Sequence, residues 1–400
     1  MVDSLPADAA RRSIRRPLTW LTIAKFLVNM ALRLVYPFNT DIAKGLGVSL
    51  DSVGRMQGLG ELTGLVSAGI GHQLDRGYYA RWVTIGVGGA GIGALVLGVG
   101  GKLWVFGLGF ALIACGVSVM TTSAHTWIGE TVPYAERGRV VGIYEASWAV
   151  ALLVGAPAAG VLIDRGSWWW PFAVIGVMVL LALPFVRRSL PRPARARSAS
   201  ASTSGNDVPE APLNVARSKI NWNRRVYASL SASSLLTLGA VVIFASYGAW
   251  LKDRHGFTTA SVSALTLGLG VVELVGSGSV ALFVDRIGKR RSVAGGAGLM
   301  AVAALCVMAG NTRWLAAVGI VLFFGGFEFA YVSQISINSE VGGAARGRVI
   351  AVNAAIVTIA RASGAALGTW LYVHSGMTAV AVVSVSCAFI TMATTVATFD

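Results

Sequence analysis

Seven ionisable side chains lie inside long apolar runs: Lys25, Arg33, Glu61, Glu145, Glu273, Glu328 and Arg361. A charge at the centre of a bilayer costs about 2.5–3.5 kcal/mol on an insertion scale, so such residues are expected to be functional. Lys25, Asn29 and Arg33 recur every four residues and share one polar helix face. Glu61, Glu273, Glu328 and Arg361 fall near the middle of their runs, and Glu145 falls nearer one end. Four acids against three bases leave one negative charge if all ionise. Either one glutamate holds a proton or the cavity prefers a cation. A carboxylate kept from water retains a proton more readily, the property a proton carrier needs. Glu328 and Glu61 lead as proton-coupling or cation-binding residues, followed by Glu273 and Glu145. The alternative for each is a static pair with Lys25, Arg33 or Arg361.

The elements that hold these residues must cross a membrane. The chain is 55% hydrophobic and 13% charged, with mean hydropathy +0.67, whereas a soluble domain has about 25% charged residues. A span needs about 20 apolar residues. Twelve runs fit: 17–40, 52–72, 82–100, 103–127, 140–163, 168–186, 226–250, 259–283, 292–309, 314–337, 349–373 and 376–398. The expected fold is an all-α membrane protein of two six-helix bundles, 1–186 and 226–400. The basic linker between them, 187–225, is rich in Pro, Ser and Ala and too poor in large apolar side chains to bury a core.

The net charge of +15 would suit a nucleic-acid binder. The Lys and Arg residues, however, sit in short loops between apolar runs, where they orient a membrane protein. With the N-terminus inside, cytoplasmic segments hold 23 of them and external segments seven, so both termini and the linker are expected in the cytoplasm. Arg11, Arg12, Arg15 and Arg16 precede a full-length run rather than a short signal segment. Cys115, Cys306 and Cys387 read as small buried hydrophobes, and four scattered histidines suggest no metal site. Gly86, Gly88 and Gly91 match G-x-G-x-x-G, but no strand precedes them, so they read as helix packing. No Walker A pattern and no Ser-His-Asp or Cys-His constellation occurs, which argues against ATP-driven pumping and against an enzyme.

The halves echo each other. Arg137-Gly138-Arg139-Val140 returns as Arg346-Gly347-Arg348-Val349, and Gly47 with Ser52-Val53 returns as Gly256 with Ser261-Val262, each shifted by 209. Gly155-Ala156 returns as Gly364-Ala365 at the same shift, and Asp75-Arg76 as Asp285-Arg286 at 210. Two similar apolar halves joined by a basic hinge are the plan of a transporter built from parallel repeats.

Over nearly its whole length the chain resembles the major facilitator superfamily. Gly71, Asp75, Arg76 and Gly77 fit the first part of that family's loop signature, and Asp285, Arg286, Gly288, Lys289, Arg290 and Arg291 form a fuller second copy, with Ala281 for its first glycine. The likeness is closest to the drug-proton antiporter and sugar-efflux type of branch, through 33–38 and 145–149, and Gly155-Ala156-Pro157 partly matches the antiporters' Gly-Pro motif. The resemblance implies that Asp75 meets the start of span 11 at Arg346 and Arg348, and Asp285 the start of span 5 at Arg137 and Arg139. These clusters would latch the halves at the cytoplasmic side. Span 4 has neither Arg nor Lys, a departure from that branch, which often carries an arginine there and uses it in a proton relay; Arg33 is the candidate substitute.

The resulting expectation is a secondary transporter of the inner (plasma) membrane working by alternating access. It needs no cofactor, draws on the proton gradient, binds a small-molecule substrate and protons in the lipid bilayer, and acts as a monomer. Export of a small, partly apolar compound stands first, proton-coupled uptake of a metabolite or sugar second, and a non-transporting receptor last.

Overall fold

The computed structural model describes residues 7–190 and 220–398, so most of the expected linker lies outside the described residues. Every regular element among them is helical. Within lipid no water satisfies the backbone, and a helix pairs its own N–H and C=O groups. The first half holds α1 (Ala7–Arg33), α2 (Asn39–Leu46), α3 (Leu50–Leu62), α4 (Gly71–Asp75), α5 (Tyr79–Val99), α6 (Leu103–Thr131), α7 (Tyr134–Arg165) and α8 (Trp170–Ser189). The second holds α9 (Arg224–His255), α10 (Thr259–Ile287), α11 (Lys289–Ala309), α12 (Arg313–Val341) and α13 (Arg346–Thr398). Buried apolar side chains gather into one large cluster from 21–190 and another from 236–388.

Nine of the described helices, α5 to α13, are long and apolar enough to cross a membrane. The 53-residue α13 turns at Gly376 (φ 76°) and so covers the last two expected runs. The first two runs are helical but irregular. Helix α1 carries Lys25 and Arg33 besides its N-terminal arginines and Asp8. Helix α3 gives way to a 3-10 stretch over Thr63–Ile70. There the Thr63 hydroxyl donates to Gly60 O at 2.6 Å and to Ala111 O at 2.8 Å, and Ser67 donates to Gly64 O at 2.9 Å. Hydroxyls competing for helix carbonyls bend the backbone.

The repeat is visible as geometry. Gly47 closes α2 at φ 64°, ψ 32°, and Gly256 closes α9 at φ 62°, ψ 33°. Both occupy the left-handed cap that glycine adopts without steric cost. Two residues on, Ser49 Oγ meets Ser52 Oγ at 2.9 Å and Thr258 Oγ1 meets Ser261 Oγ at 3.0 Å. Gly86 packs so closely on α6 that a Cβ would stand 2.7 Å from Gly116 O, and Gly296 stands in the same relation to Gly326 O at 2.8 Å. The G-x-G-x-x-G stretch is thus helix packing, as its sequence context implies.

Successive long helices alternate between two ends of the molecule. One, the terminal end, holds the start of α1 and the end of α13; the far end is opposite. The halves meet chiefly through α3 on α13 and α7 on α10. A Cβ on Gly58 would stand 2.6 Å from Ala362 O, and one on Gly270 2.8 Å from Leu153 N. Nearer the terminal end, Gly142 on α7 and Gly278 on α10 meet no described atom within 4 Å. Close contacts between the halves run from the far end, where Gly160 meets Ser263, past mid-depth, where Gly64 meets Thr358.

Candidate functional site

Helix α1 supplies the spine of the site. Its four-residue spacing sends Lys25, Asn29 and Arg33 along one face, and all three are buried. Arg33 reaches across to the second half. Its two terminal nitrogens bind Glu273 on α10 in a fork, Nη1 to Oε2 at 2.7 Å and Nη2 to Oε1 at 2.5 Å. Nη1 also donates to Trp148 O on α7 at 2.7 Å, and the guanidinium lies 4.3 Å from the Trp148 ring centroid. A planar fork suits a carboxylate bidentately, and the extra carbonyl and ring replace water that the charge has lost.

Two further pairs use the other bases. Glu61 on α3 meets Arg361 on α13 at 3.0 Å, again across the halves, and accepts a hydrogen bond from Tyr36 Oη at 3.0 Å. Lys25 meets Glu145 on α7 at 2.6 Å within the first half. The same Glu145 oxygen lies 2.8 Å from His125 Nε2 on α6, and Lys25 Nζ sits 4.0 Å from the Tyr144 ring centroid. The Glu145 and His125 side chains keep 44% of their surface exposed.

Glu328 is the carboxylate left over. It lies on α12 with 9% of its surface exposed, and its recorded partner is the Ser277 hydroxyl, donating to Oε1 at 2.5 Å. No ion pair is recorded for it among the described residues, although Arg33 and Glu273 lie within electrostatic reach. Three bases therefore pair with three acids, and the unbalanced charge expected from composition has an address. Asn29 is wholly buried, and neither end of its amide has a hydrogen-bond partner among the described residues.

The expected latch residues are placed less fully. The side chains of Asp75 and Asp285 lie outside the described residues. Arg76, Arg139, Arg286, Arg346 and Arg348 are exposed. Arg137 Nη2 donates to Gly129 O at 2.6 Å and Val132 O at 3.3 Å, within its own half. Gly71 meets no described atom within 4 Å, and Gly288 (φ 90°) separates α10 from α11.

Sequence reasoning passed over His125 and Ser277 and assigned no site role to Tyr36 and Trp148, which entered only as parts of the 33–38 and 145–149 stretches; tertiary contact selects all four. It also passed over a fourth ion pair, at the far end. Lys252 Nζ lies 2.7 and 2.6 Å from the two oxygens of Asp41 and 2.8 Å from Thr259 Oγ1, tying α2 to α9 and α10. Beside it Asn39 Nδ2 donates to Ala245 O at 2.9 Å, while Gln57 Nε2 donates to Asn39 Oδ1 at 2.8 Å. The available signal was that Asp41 follows Arg33 by eight residues, in a segment that α2 continues.

The sequence profile of the Major Facilitator Superfamily matches residues 21–284. An uncharacterized MFS-type transporter, YwfA of Bacillus subtilis (strain 168), is 27% identical over 305 residues, covering 75% of this chain and 71% of that protein. A glucose facilitated diffusion protein of Zymomonas mobilis is 25% identical over 299 residues, covering 66% and 63%. The crystal structure of a D-xylose-proton symporter superposes with a TM-score of 0.74 at 16% identity, covering 94% of this chain and 97% of that one.

Proposed function

The chain belongs to the Major Facilitator Superfamily and is a membrane transporter, and on that premise we propose proton-coupled export of a small, partly apolar compound by alternating access. The observation that carries the coupling is Glu328, buried, held by Ser277, within electrostatic reach of Arg33 and Glu273, and without an ion-pair partner among the described residues. An unpaired carboxylate in a dry site gains most from taking a proton. Proton uptake at Glu328 removes the excess charge, and release restores a carboxylate that favours a cationic or hydrogen-bonding ligand.

Arg33–Glu273 and Glu61–Arg361 both join the two halves, so they lie where one bundle turns against the other. The Asp41–Lys252 contact joins the halves at the far end. The 23-to-7 distribution of Lys and Arg supports a cytoplasmic terminal end in a plasma membrane. A state closed at the terminal end would bring Asp75 to Arg346 and Arg348, and Asp285 to Arg137 and Arg139. A single chain contains both halves, and the acting unit is proposed to be the monomer.

A second reading is proton-coupled uptake of a metabolite or sugar; the likeness to the Zymomonas glucose facilitated diffusion protein supports a sugar as the substrate and carries nothing about protons. Both readings are tested in proteoliposomes, with internal pH followed while lipophilic cations, sugars and amino acids are added. Proton flux with one class, absent in Glu328→Gln, supports coupling and identifies the substrate. Its sign relative to substrate movement separates antiport from symport. Substrate flux without proton movement would sink both.

A further inference from the structure

We propose that the furrow between the start of α9 and the end of α13 binds an anionic phospholipid, with Arg224 on the phosphate and an acyl chain along the helices. The furrow has a volume of about 530 Å³ and is lined by Arg224, Tyr227, Ala228, Ser231, Ala393 and Ala397 among others. Small side chains on both helices leave a trough where larger ones would make a ridge. Its floor is apolar, and its position at the ends of two spans puts its mouth at the membrane boundary.

The mouth carries the marks of that boundary. Tyr227 and Trp222 are 58% and 48% exposed, and their ring centroids lie 5.3 Å apart. Such amphipathic rings settle at headgroup level. Arg224 is held in place: Asn223 Oδ1 accepts from Val226 N at 3.0 Å and fixes the start of α9, and Arg224 Nη2 donates to Ala397 O at 3.3 Å. A guanidinium has five N–H donors, and this contact uses one. No ion pair is recorded for Arg224 or Arg225 among the described residues. Arg290 Nη2 donates to Val396 O at 2.6 Å, adding a further positive charge at the same helix end.

A guanidinium fork beside an apolar trough is complementary to both parts of one molecule, a phosphate and an acyl chain. A free anion would use only the first part, and a zwitterionic lipid would bring its own cation to the arginines. If Arg224 served only to hold the last carbonyls of α13, lipid identity would be indifferent to it.

The test uses the full chain in mild detergent, titrated with phosphatidylglycerol or with phosphatidylcholine of the same acyl chains, and bound lipid counted by native mass spectrometry. The unaltered protein should hold one phosphatidylglycerol in preference to phosphatidylcholine. Arg224→Ala should weaken that binding about fivefold, the worth of one cation at an anionic headgroup. Ala393→Trp, which fills the trough and keeps the guanidinium, should abolish it, with Ser231→Trp as a second filling variant should the first fail to fold. Excess inorganic phosphate should not displace the lipid. Equal binding of the two lipids, unchanged retention in Arg224→Ala and a folded filling variant, or displacement by phosphate would each overturn the proposal.

Discussion

At the scale of single residues the site is a matter of which charge has a partner. Arg33 and Glu273 are bonded through two N–H donors and sit in a dry setting, with side chains 8% and 4% exposed. Removing one member leaves the other buried and unpaired, which costs about 3–5 kcal/mol. Glu273→Ala should therefore lower thermal stability by that order, and replacing Arg33 and Glu273 together with apolar residues should recover much of it. Unfolding in detergent followed by tryptophan fluorescence would measure both. Arg33→Lys should recover less than the shared charge suggests, because an ammonium cannot form the fork. Glu328 differs, since its loss strands no recorded cation. Glu328→Gln should leave the melting temperature within about 1 kcal/mol equivalent while abolishing uphill transport. Normal accumulation by that variant would remove Glu328 from the proton pathway.

Helix pairs depend on small residues, because lipid offers no hydrophobic force to press two apolar helices together and close contact must do it. Gly86 shows this on α5: a Cβ there would meet Gly116 O at 2.7 Å and Met120 N at 2.7 Å. Gly89, one turn away, meets nothing within 4 Å. Gly86→Ala should cost roughly 1–3 kcal/mol through overpacking, whereas Gly89→Ala should be neutral or slightly stabilising by helix propensity. Comparing the two melting curves checks the packing reading of the G-x-G-x-x-G stretch. The same scale explains why the first two membrane runs depart from plain helix. Lys25 and Arg33 make α1 too charged to pass as an ordinary span, and the hydroxyls of Thr63 and Ser67 draw α3 into a 3-10 course. Run length alone could predict helix there, but not the bend, which depends in part on Ala111 of a different helix accepting from Thr63.

For the whole molecule the question is which end is closed. Lys252 with Asp41 and Thr259, and Asn39 with Ala245, tie the halves at the far end. Asp41→Asn should weaken this closure and shift the population toward a state open at the far end. Spin labels placed across that end would show it as longer distances, and unchanged distances would remove Asp41 as a clamp. The sequence by itself determined that the chain is helical and membrane-spanning, that its Lys and Arg residues fall mostly between the apolar runs, and that its halves repeat. Those properties follow from run length, local charge and self-similarity, all one-dimensional. It also determined that one carboxylate must be left unbalanced, by counting. Only the tertiary structure decided that the carboxylate is Glu328. Arg33 and Glu273 stand 240 positions apart. Which acid a base meets depends on how each helix is rotated about its axis and packed against the other half, and no local pattern encodes that rotation.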